Sequence, residues 1–274
     1  MIYDDTICQL GEGPLWHPEL NDLFWFDILS KRLHRKGRYW QFDRPVSAAG
    51  WVSDSTLMIA DSASLFLFDL SSETRTHLCD LEADNPTTRS NDGRADPWGG
   101  FWIGTMGLDA QPGAGSIYRY YRGELRRLFS GLTITNAICF APDRSCAYFT
   151  DTTTNIIQRQ PLSEPDGWPV GEPEVFLDLR DKPFHPDGAV VDEQGRFWNA
   201  QWGFGQVACI GPDGQLIDTI PVPGKQATCP AFGGPDRSTL YCTSAAVGLD
   251  GGDHGKTFAI ETGSRGQAEH RVIP

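Results

Sequence analysis

Six stretches of this chain repeat one local pattern, a turn followed at once by an apolar or aromatic run, and their spacing limits the fold more than any other feature. They read HPELNDLFW at 17–25, SDSTLM at 53–58, DPWGGFW at 96–102, PDRSCAYF at 142–149, DEQGRFW at 192–198 and PDRSTLY at 235–241. With Pro18, Asp54, Pro97, Pro142, Asp192 and Pro235 as markers, the successive spacings are 36, 43, 45, 50 and 43 residues. Short apolar runs bounded by turn residues read as strands, and a strand-only period of about 40–50 residues is what four-stranded propeller blades produce. The expectation is an all-β chain: one domain, residues 1–274, folded as a six-bladed β-propeller with four-stranded antiparallel blades around a central channel. A sandwich with coincidentally spaced hairpins is the competing architecture.

The register also decides a local ambiguity. FHPDGAVVDEQGRFW at 184–198 holds two candidate turns, Asp187-Gly188 and Asp192 to Gly195. An Asp-Gly pair between apolar residues is ordinarily a strong hairpin signal. Here the second candidate fills the repeated turn slot, so Asp187 belongs at the entry to an inner strand, with Gly188 giving the backbone room beside a bound ion. Five to seven residues upstream of the six markers stand Glu12, Ser47, Asn91, Asn136, Asp187 and Cys229. Taken as equivalent positions, they form a ring at the mouth of the channel. Four of the six are hard oxygen donors, and two carboxylates with an amide carbonyl suit a divalent cation of the Ca, Zn, Mn or Fe(II) kind. Without a cation the carboxylates repel each other and resist desolvation. A metal beside a carboxylate is a hydrolytic combination.

Other chemistries lack residues. There is no G-x-S-x-G, H-E-x-x-H or G-x-x-x-x-G-K-[ST] motif, and the Gly-rich LDGGDHGK at 249–256 reads as a loop. The formal charge of -13 opposes polyphosphates and argues against nucleic acid. No run approaches the ~18 apolar residues of a membrane helix, and the start of the chain shows no cationic segment leading into an apolar one. No membrane and a cytoplasmic location are expected. The seven cysteines include no C-x-x-C pair, which points to reduced, mostly buried thiols rather than a zinc ribbon or disulfides.

LGEGPLWHP, RSNDGRADPWGGFWIGTM, ITNAICFAPD, HPDGAVVDEQGRFW and TCPAFGGPDRSTLYCTSA resemble, in this order and spacing, the signature segments of the SMP-30/gluconolactonase/regucalcin family. The resemblance implies a six-bladed propeller that binds one divalent cation and hydrolyses a sugar lactone to the aldonic acid, as a monomer or weak homo-oligomer. By the same resemblance the metal ligands fall on Glu12, Asn136 and Asp187, with Asp187 also the proton donor and acceptor. The substrate-contacting residues fall on Arg89 and Asn91, and a further one on Asp109, where Glu would be expected. Asp151 is either a turn residue or lies just behind the site, and Trp202 and His17 are candidates for its walls. Two other readings remain open: a cation-binding propeller scaffold without catalysis, and a metal-dependent hydrolase of another ester or a phosphotriester.

Overall fold

The computed structural model describes residues 1–274. Its strands form six separate four-stranded antiparallel sheets arranged as the blades of a six-bladed β-propeller. The innermost strands of blades 1 to 6 are Gly11–His17, Val46–Trp51, Thr88–Ala95, Thr135–Phe140, His185–Val191 and Gln226–Gly233. All six marker turns join an innermost strand to the second strand of its blade. The last blade is closed by the start of the chain: Ile2–Asp4 pairs with Thr257–Glu261 as its outermost strand. No helix is long and apolar enough to cross a membrane.

Each blade is covered on both faces by its neighbours, so its middle strands are apolar without alternation. Leu23, Phe24, Trp25 and Phe26 are all buried. The core divides into six clusters, and each fills one gap between adjacent blades. Leu15, Phe24 and Leu33 of blade 1 pack on Leu57, Ile59 and Phe68 of blade 2, and Trp102 and Ile117 of blade 3 pack on Phe140 and Phe149 of blade 4. Outermost strands such as Arg75–Asp80 are largely exposed and polar. Innermost strands crowd the axis, where small residues fit, as in Ser47-Ala48-Ala49-Gly50.

The turn at Asp192 is organised as the spacing predicts. Its buried carboxylate accepts the backbone N–H of Gln194 and Arg196 and the indole N–H of Trp198, while Asp187 and Gly188 lie inside the inner strand of blade 5. Gly188 makes room for a different neighbour from the expected ion. A Cβ there would stand 2.4 Å from the Cys229 sulfur and 2.9 Å from the Cys229 Cα, so the glycine lets the inner strands of blades 5 and 6 approach.

Past Gly263 the chain runs without regular structure across the face that carries the marker turns. Gln267 donates to the carbonyls of Phe140 and Val191, the Val272 and Ile273 amides donate to the carbonyls of Trp51 and Gly99, and Glu269 pairs with Arg94. With Gly266 bonded to Arg237 and Arg265 to Asp236 in blade 6, this tail spans blades 2 to 6 at the far mouth of the channel.

Candidate metal-binding catalytic site

At the opposite mouth lies a cavity of about 470 Å³. Glu12, Arg89, Asn91, Asn136 and Asp187 line its floor, Thr152, Thr153 and His185 one side, and Leu10, Met106, Ile134, Trp202 and Val247 the remaining wall. The five floor residues come from the inner strands of blades 1, 3, 4 and 5.

The positions read as equivalent are offset by one residue. Glu12 pairs with Phe26 and Asn136 with Thr150, whereas in blades 3 and 5 the matching register is held by Ser90 and Pro186. Directly after this position each of these four strands bulges, setting two residues opposite one. Asn91 and Asp187 are the first bulge residues of their strands, and a bulge re-aims side chains. Residues one step apart in register therefore meet in one cavity. In blades 1 and 4 the first bulge residue is left-handed, Gly13 at φ 53 and Ala137 at φ 59.

A chain of hydrogen bonds fixes the amides. Arg89 Nη1 donates to Asn91 Oδ1 (2.8 Å), Asn91 Nδ2 to Asn136 Oδ1 (3.1 Å) and Asn136 Nδ2 to Thr152 Oγ1 (2.8 Å). Thr152 Oγ1 in turn donates to the Pro186 carbonyl, next to Asp187. Each donor leaves its partner one orientation, so the Asn136 carbonyl oxygen is presented with a lone pair to spare. Asn91 Nδ2 also donates to the Thr135 carbonyl. Both of its N–H groups are thus spent within the protein, and it acts here as the link between Arg89 and Asn136.

The electrostatics are strongly unbalanced. Burial first, and then the charge of Asp92, pushes the Glu12 carboxyl up to about 8 against the pull of the Gly13 N–H and Arg89. Burial, Glu12 and Asp92 together push Asp187 well above the usual carboxylate range. Burial lowers Arg89 to about 10, opposed by Glu12 and Asp187. Arg89 thus faces two buried carboxylates, Glu12 and Asp187, while Asp92 behind them is held by Arg94; a divalent ion would neutralise the pair at the floor.

Asp92 and Asn199 carry no signal of their own in the sequence. Burial raises Asp92 to about 6, and its carboxylate accepts the Ile138 N–H at 2.7 Å, holding the bulge that presents Asn136. Asn199 donates to the carbonyls of Asp187 and Gly188 and holds the blade 5 bulge in the same way. Asp92 follows Asn91 in RSNDG, where the Asp-Gly pair looks like turn punctuation.

Other expected residues lie elsewhere. Asp109 is exposed on the loop after Phe101–Gly107, where it contacts Gln111, and does not line the cavity. Asp151 is a turn organiser whose carboxylate accepts from Thr133, Ile134 and Thr153, which shapes the cavity rim. Trp202 lines the wall. His17 does not, because it stands at the other end of its strand from Glu12, bonded to the Ser53 carbonyl. Ser47 bonds Ser90, and Cys229 packs on Gly188.

Residues 10–246 match the family described as SMP-30/Gluconolactonase/LRE-like region. The chain belongs to this family. Among SMP-30/gluconolactonase-like relatives, the 6-deoxy-6-sulfogluconolactonase of Pseudomonas putida is 35% identical over 248 residues, covering 86% of this chain and 83% of that protein. The pentonolactonase XacC of Haloferax volcanii is 34% identical over 284 residues, covering 97% and 96%. A crystal structure described as a calcium-binding protein, regucalcin, from Agrobacterium tumefaciens superposes with a TM-score of 0.95 at 42% identity, covering 100% of this chain and 97% of that one.

Proposed function

We propose that this protein is a metal-dependent sugar lactonase, acting as one unit over residues 1–274. Glu12, Asn136 and Asp187 hold a divalent cation, and Arg89 and Asn91 complete the site. The observation that carries the reading is the set of buried carboxylates at the cavity floor, faced by the single guanidinium of Arg89. Membership of the SMP-30/gluconolactonase-like family, and the names of relatives that act on different sugar lactones, support the same chemistry. The calcium-binding description of the regucalcin structure supports the cation, which here is any of Ca, Zn, Mn or Fe(II).

When bound, such an ion polarises a carbonyl and increases the acidity of water. The remaining work falls to the protein. Arg89 spends Nη1 on Ser90 and Asn91, which leaves its other N–H groups to grip vicinal hydroxyls as a planar fork. The apolar wall of Leu10, Met106, Ile134, Trp202 and Val247 lies against C–H faces of the sugar and limits stray water. Asp187 takes a proton from the attacking water as the new C–O bond forms, then returns it to the ring oxygen as the ester bond breaks. The product is the open-chain acid.

The test is acid release from a panel of aldonolactones, with spontaneous hydrolysis subtracted, using metal-stripped protein and each cation added back. An aryl ester and a phosphotriester are run alongside. The expected result is turnover of at least one lactone only with added cation, and a fall of ~10²-fold or more in kcat for Asp187→Asn. Full activity of the stripped protein would remove the cation from the proposal, and turnover confined to the ester or phosphotriester would replace the substrate.

A further inference from the structure

The cavity floor is built to bind the reacting end of a lactone, but most of the uncharged polar side chains around it are committed elsewhere. Thr152 and Thr153 donate to Pro186 and Asp151, and the amides of Asn91 and Asn136 sit in the chain from Arg89 to blade 5. His185 is the exception. It is exposed, lines the cavity, and uses Nδ1 alone, 2.8 Å from Asn155 Oδ1.

That contact determines which ring nitrogen is free. Asn155 Nδ2 donates to the Phe184 carbonyl at 3.3 Å, so the atom facing the imidazole is the amide oxygen. An amide oxygen only accepts, and Nδ1 must therefore carry the proton. In the neutral ring Nε2 is left as an unpartnered acceptor. Asn155 is itself held firmly. It is left-handed at φ 54 where the short turn Thr152–Thr154 ends, its N–H donates to Thr152, and its carbonyl accepts from Leu179.

We propose that His185 is a specificity-determining residue, whose Nε2 accepts a hydrogen bond from a hydroxyl at the end of the sugar remote from the lactone carbonyl. The proposal rests on the lactonase reading above. His185 stands two residues from Asp187 on one strand, about 6–7 Å along it, a span comparable to a sugar ring. A carbonyl placed at Asp187 thus directs the terminal hydroxyl toward His185. The facing wall is apolar, and the two threonines beside His185 are bonded to Pro186 and Asp151. The preferred substrate is then a neutral aldonolactone that keeps its terminal hydroxyl, in preference to its terminally deoxygenated counterpart.

Matched pairs test this, with D-galactono-γ-lactone against D-fucono-γ-lactone and L-mannono-γ-lactone against L-rhamnono-γ-lactone, in whichever pair the cation-loaded wild type turns over. His185→Leu is expected to raise KM for the hydroxylated member about five- to tenfold, the worth of one neutral hydrogen bond, with a much smaller change for the deoxygenated member and kcat within about twofold. His185→Gln, which restores an acceptor, should recover most of the discrimination. Asn155→Gly, which tolerates the left-handed backbone but frees the imidazole, should shift KM in the same direction by less. An equal effect of His185→Leu on both members, or none, in protein whose wild type is active would overturn the proposal. A wild type inactive on every lactone would instead sink the lactonase reading, and this proposal with it.

Discussion

Glu12 stores the conflict on which the site depends. Its carboxyl is raised from the ordinary range to about 8, chiefly by burial and next by Asp92, so the folded, metal-free protein holds a proton that the unfolded chain releases near pH 4.5. Stability of the stripped protein is then fullest below that unfolded value and is lost as pH rises from there through about 8, because the folded state binds more protons across the window. A divalent cation removes the cost by making the charged form the favoured one. Thermal melts between pH 5 and 8 should show a falling midpoint for the stripped protein and a flat, higher one with cation. Glu12→Gln should lose part of the slope, since Asp187 and Asp92 are raised as well. A stripped wild type whose midpoint is indifferent to pH would show that the buried carboxylates are compensated without a metal. Glu12, Asn136 and Asp187 were legible in the sequence because the turn spacing and the family segments pointed to the same strand entries, and Arg89 through the family segments alone. Asp92 was not, since its partner is a backbone N–H in another blade, Ile138, and no spacing records that contact.

Among the elements, the inner strand is where sequence reasoning met its limit. Hairpin turns are readable because their residues are selected for local backbone geometry. Bulges are not, because one extra residue in a strand looks the same as a slightly longer turn. This is why Asn91 and Asp187 were aligned with Glu12 although their register is one residue further on. The blade 5 bulge is also tied to the next blade through Gly188. Gly188→Ala should destabilise the protein by about 1–3 kcal/mol, the usual cost of forcing atoms into a packed interior. Its backbone is not left-handed, so the cost is steric. Replacing Cys229 by Ala should recover little, since its Cβ stands 2.6 Å from the inserted methyl, whereas Cys229→Gly should recover more. A double-mutant cycle in denaturant measures the coupling, and full rescue by Cys229→Ala would show that the sulfur alone sets the approach.

For the whole molecule, the two ends of the chain act on opposite parts of the ring. The first strand completes blade 6, an arrangement that six counted blades did not foretell, because Ile2–Asp4 carries no turn marker. The tail has no repeat at all, yet it buries Val272 in the gap between blades 2 and 3 and sets Glu269 against Arg94 at 3.0 Å with both side chains nearly buried. Beneath it lies a void of about 20 Å³ bounded by Arg94, Cys139, Val191 and His270, too small for more than a single water. The tail therefore closes the channel opposite the cavity, and the site is open to solvent from one face. Removing residues 264–274 would take Glu269 from Arg94 and Val272 from its gap between blades, lowering the denaturation midpoint, and would uncover Cys139. Burial holds that thiol protonated well above its ordinary range, so Cys139 should resist maleimide at pH 8 in the intact protein and be labelled in the truncated one, with the partly exposed Cys79 as the site common to both. Glu269→Gln should lower the denaturation midpoint by part of the same amount and leave Cys139 protected, because the rest of the tail still covers it. Labelling of Cys139 in the intact protein, or an unchanged midpoint after truncation, would mean that the inner strands close the channel on their own.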